Sequence, residues 1–72
     1  MRRGVHTIET VISSVDSERA FRIADECLIE IRLVETRRED AAWLHEYEVS
    51  GEVGKVSKFI NRLRQVEIKR KI

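Results

Sequence analysis

The chain has no proline, only three glycines and a single cysteine, and aromatic residues make up 6% of it. With so few turn formers, the connections between elements are expected to be short and tight. Cys27 has no partner for an intramolecular disulfide and cannot by itself supply the four ligands of a structural zinc site, a usage that fits a reducing cytoplasm. Neither sign of charge dominates. Fourteen Lys and Arg against thirteen Asp and Glu leave a formal charge of +1, which gives no general field to hold a polyanion or a membrane surface. No stretch approaches the roughly 20 apolar residues of a membrane span. The start Met1-Arg2-Arg3-Gly4 is not followed by the apolar run of a secretion signal, so a cytoplasmic location off the membrane is expected.

What is present is 42% hydrophobic and 38% charged sequence, enough Val, Ile and Leu for a core within a heavily solvated chain. Seventy-two residues make one domain, 1–72, whose core supplies only about 3–5 kcal/mol of net stability. A single-layer sheet leaves one face and two edges uncovered. A homo-oligomer, a dimer or higher, is the expected way of covering them.

Residues 5–14 are rich in β-branched side chains, with Ile8, Thr10 and Ile12 on one face, and predict a first strand. Asp16 and Ser17 can cap a helix in which Ala20, Phe21, Ala24, Cys27 and Leu28 recur at helical spacing. The change to a second strand is expected near Leu28 to Ile29, because Ile29, Ile31 and Leu33 then alternate with Glu30 and Arg32. The all-polar stretch Glu35 to Asp40 suits a hairpin connection. Trp43, His45, Tyr47 and Val49 form one face of a third strand that Ser50-Gly51 should end. A second helix follows from Glu52 to Gln65, with Val53, Val56, Phe59, Ile60 and Leu63 as its stripe. Val66, Ile68 and Ile72 alternate with Glu67, Lys69 and Lys71 as a closing strand. The expected fold class is therefore α+β, ferredoxin-like, in the order β-α-β-β-α-β: a four-stranded antiparallel sheet with two helices on one face. Its open face should carry Thr7, Glu9, Glu46, Glu48, Lys69 and Lys71.

The stretch from Glu46 through the Gly51 turn, the Val56-x-x-Phe-Ile-x-x-Leu63 helix and the valine-bearing Val66-Glu-Ile68 resembles the C-terminal half of ACT-type regulatory modules. That resemblance covers about a third of the chain. It implies a non-enzymatic regulatory or scaffold module that self-associates and takes a small effector near the turn between strand one and helix one. An effector or anion would find Ser13, Ser14, Asp16 and Ser17 there, at the amino end of the helix where free amides converge. Helix capping alone also accounts for those residues.

The alternative class is an RNA-binding domain, which shares the β-α-β-β-α-β order but reads bases with aromatics on the open sheet face. Strand one has no aromatic, so this route has little to work with; the basic tail Lys69, Arg70 and Lys71 could touch phosphates. Cys27, His6 and His45 are the only soft metal ligands, and none has the short pair spacing of known sites, so no metal and no cofactor are expected. The carboxylates lie on regular wet faces, with no nucleophile and base brought together, which argues against an enzyme.

Overall fold

The computed structural model describes residues 5–70. Its elements are β1 (His6–Ser13), α1 (Ser17–Cys27), β2 (Glu30–Glu39), β3 (Ala42–Glu52) and α2 (Val53–Arg70). The strands form one antiparallel sheet in the order β1-β3-β2, with β3 in the centre. One cluster holds Val11, Tyr47 and Val49 of the sheet against Ala20, Ile23, Ala24 and Cys27 of α1 and Val56, Phe59 and Leu63 of α2. Both helices therefore pack on the same face.

Asp16 begins α1 in extended conformation, and its carboxylate accepts from the Arg19 amide at 2.9 Å. The helix ends where the two-residue alternation begins, as expected, but without a glycine: Leu28 itself adopts the left-handed conformation (φ 62°, ψ 44°). Its amide and that of Ile29 close back on Asp25 and Ala24, satisfying the last carbonyls.

Several expectations are corrected. The closing strand expected at Val66 to Ile72 is helix as far as it is described: α2 runs on to Arg70, and Lys71 and Ile72 lie outside the described residues, so the described sheet has three strands, not four. Val66 extends the Phe59, Leu63 stripe at helical spacing and packs against the core, and with no glycine or proline after Gly54 nothing stops the helix. The polar run Glu35 to Asp40 is not a loop, because β2 continues to Glu39 and only Asp40-Ala41 turn. There the hairpin extends past the helices, neither face is covered, and no apolar alternation is required of it. Gly51 does not end β3, which reaches Glu52. In β1 the faces are reversed: Val11 is buried inward, Ile8 is 65% exposed on the outer face, and Thr7 and Glu9 point to the helix side. In α1 the buried stripe is Ala20, Ile23, Ala24 and Cys27, while Phe21 and Leu28 face out.

Gly51 and Leu28 make opposite demands on the backbone. Gly51 (φ 156°) lies so close to the residue that precedes β2 that a Cβ would sit 2.9 Å from Cγ2 of Ile29. Leu28 occupies a left-handed position that glycine adopts without strain. Gly51→Ala should destabilise the protein by about 1–3 kcal/mol, and Leu28→Gly should stabilise it by about 1 kcal/mol. Urea melts of the two variants beside the wild type check both signs.

Candidate functional site

The turn singled out as an effector site follows β1 directly. Ser13 is the last residue of β1 and is buried, and its hydroxyl donates to the carboxylate of Glu67 on α2. The same Oγ accepts from the Val15 amide at 3.1 Å. Glu67 also accepts from Arg64 at 2.9 Å, and Arg64 donates a second bond to the Ile12 carbonyl at 3.1 Å. Asp16 is committed to the Arg19 amide, Ser17 opens α1, and Ser14 is half-buried between them. The structure thus brings Ser13, Ser14, Asp16 and Ser17 into one turn. At the start of that turn a carboxylate from the chain itself, that of Glu67, accepts from the Ser13 hydroxyl and from the Arg64 guanidinium. No local pattern signals this partner, because Glu67 falls on an expected strand and is remote along the chain from Ser13.

Beneath the turn, Tyr47 is fully buried and its phenol donates to the Val15 carbonyl at 2.7 Å. Burial first, and the Asp16 carboxylate second, push its pKa from 10.0 up to about 12, since both disfavour a phenolate. Trp43 shares this face but is 54% exposed, out on the hairpin, with the Arg38 guanidinium 5.4 Å from its ring centroid. His45 lies between them, hydrogen-bonded to Thr36 at 3.0 Å. Cys27 is a buried core side chain and His6 is exposed on the opposite face of the sheet. Among the described residues no group of three or more His, Cys, Asp or Glu side chains is placed to hold a metal ion.

The outer face of the sheet divides in two. On the β1 side it carries Ile8, Thr10 and Ile12, all exposed. On the β2 and β3 side it carries ion pairs: Arg32 with Glu48 at 2.9 Å, and Arg37 near Glu35, Glu39 and Glu46 at 3.1–3.9 Å. Lys69 is exposed in the last turn of α2, while the side chain of Arg70 and the whole of Lys71 lie outside the described residues. No helix among the described residues is long and apolar enough to cross a membrane. Comparison of the chain with family models, with curated proteins and with solved structures gives no match.

Two measurements test this arrangement. Tyr47 is the sole tyrosine, so phenolate absorbance reads it alone and should show half-ionisation near pH 12. Because the folded pKa is raised, the associated stability is complete below pH 10, is lost as pH rises from 10 toward 12, and disappears as a pH-dependent term in Tyr47→Phe. In a double-mutant cycle, Ser13→Ala and Glu67→Ala should together cost less than the sum of the single losses, with a coupling of about 1 kcal/mol. Strict additivity in denaturant melts would contradict the contact.

Proposed function

We propose that this protein is a small non-enzymatic regulatory or scaffold module, of the ferredoxin-like, ACT-type plan, that acts in the cytoplasm through self-association and takes a small effector. The split arrangement, in which β3 separates β1 from β2 and both helices cover one face, supports that plan. The observation that carries the reading is the sheet itself, which ends on both sides in a strand with no neighbour among the described residues. An edge strand presents a row of unpaired amides and carbonyls, a ready template for pairing with another chain. An open cleft of about 440 Å³ between α1 and β2, lined by Phe21, Ala24, Asp25, Ile29, Glu30 and Ile31, offers a place for an effector, whereas the Ser13 hydroxyl of the Ser13 to Ser17 turn is already engaged by Glu67.

Nucleic-acid binding is the second reading, favoured by the exposed Trp43 and Arg38 on the hairpin. Against it, Tyr47 and His45 point to the helix side and the open face offers Glu46 and Glu48 in place of aromatics. Sedimentation velocity over a hundredfold concentration range should show a dimer or larger species forming reversibly, and a monomer at every concentration would overturn the proposal. Titration with mixed-sequence RNA and DNA at two salt concentrations should show no salt-sensitive binding.

A further inference from the structure

The backbone hydrogen bonds fix which groups of β2 face outward. The Val53 amide donates to the Val5 carbonyl, so odd-numbered residues of β3 turn their backbone groups to β1 and even-numbered ones turn theirs to β2. Glu30, Arg32, Glu35 and Arg37 oppose even-numbered residues of β3 and are bonded inward; Ile31, Leu33 and Thr36 therefore direct their amides and carbonyls to the open edge. A bulge at Val34 shifts the register between Leu33 and Glu35. Bulges ordinarily blunt an edge. Here the extra residue also exchanges the faces, so that residues equally distant from the Leu33-Val34 bond lie on the same side of the sheet: Arg32 with Glu35, Ile31 with Thr36, Glu30 with Arg37.

That symmetry makes the charges of the edge self-complementary. Placed antiparallel to a second β2 about the Leu33-Val34 bond, Arg32 meets Glu35 of the second copy, Glu30 meets its Arg37, and Ile31 meets its Thr36 with outward backbone groups on both sides. The charged pairs then fall at the non-hydrogen-bonded positions, where side chains approach most closely. Moving the register by two residues would set Arg32 against Arg37 and Glu30 against Glu39, like against like. Beside the edge, Phe21, Ile29 and Ile31 line the cleft on the helix side, giving the partner an apolar surface next to the charged one. We infer that two copies of this chain join through their β2 edges, antiparallel and centred on the Leu33-Val34 bond, to form one continuous six-stranded sheet.

This inference rests on the self-association reading, and a charge-exchange experiment separates the two. Arg32→Glu alone should raise the dimer dissociation constant roughly tenfold or more, because two carboxylates then face each other across the edge; Glu35→Arg alone should do the same with two guanidinium groups. Mixing the two variants places opposite charges together at both ends, and sedimentation of the mixture should recover a mixed dimer of near wild-type affinity. Thr10→Lys on the β1 edge should leave the dissociation constant unchanged, and circular dichroism of each variant confirms that it is folded. A wild-type dimer whose affinity ignores both β2 substitutions, a mixture that fails to re-associate, or a loss of dimer in Thr10→Lys would each overturn the β2 interface while leaving self-association standing. A monomeric wild type would overturn both.

Discussion

The hydrogen bond from Tyr47 to the Val15 carbonyl sets the parity of the whole sheet. Tyr47 is central on the central strand, and with its ring buried and its hydroxyl satisfied, β3 has one acceptable orientation. Every other placement follows from it, because side chains alternate between faces and a one-residue slip inverts them all. Val49 and Val11 turn inward with Tyr47, whereas Glu46 and Glu48 turn outward and find Arg37 and Arg32. The apolar core and the charged outer stripe are thus two consequences of one orientation, and the same alternation directs the backbone groups of β2 to its open edge.

The second constraint is the length of α2. Eighteen residues at 1.5 Å each span about 27 Å, enough to cross from the Gly51 end of the sheet to the end of β1. There Arg64 takes the Ile12 carbonyl and Glu67 takes the Ser13 hydroxyl. One of the outward carbonyls of β1 is consequently already occupied. The two edges of the sheet are unequal for this reason. β1 is partly guarded by its own helix, whereas β2 has no described element beyond it.

Much of this was legible in the residues. The cap at Asp16, the change from helix to strand at Leu28 to Ile29, the aromatic face of β3 and the Val56, Phe59, Leu63 stripe each rest on patterns confined to one element. Failures occurred where two local patterns were both permitted. Val66 satisfies a strand alternation with Ile68 and a helical spacing with Leu63, and only its contact with the core, together with the bond between Glu67 and Ser13, decides for the helix. Ile8 and Ile12 alternate as a core face should, yet Val11 and Ser13 are the buried pair, because the register with Tyr47 outweighs the larger side chains. The residues of the Ser13 to Ser17 turn were identifiable, but the group bonded to Ser13 was not, since nothing local connects Glu67 to Ser13.

The exposed apolar groups are best understood through the size of the chain. A molecule 16 Å thick along its shortest axis is one sheet and one helix layer, so half of the sheet's surface has no covering among the described residues. Burial at roughly 25 cal/mol per Å² has only one face on which to act. A partner that binds the folded state alone adds stability by mass action, and this protein presents it with an edge whose charges are paired locally and remain close to solvent. Exposed ion pairs of that kind contribute little to the fold, about 0–1 kcal/mol each. The structural consequence of Arg32, Glu35 and Arg37 therefore lies more in selecting a register for a neighbouring strand than in holding their own strand in place: charge order can reject a wrong pairing far more strongly than it stabilises a single hairpin.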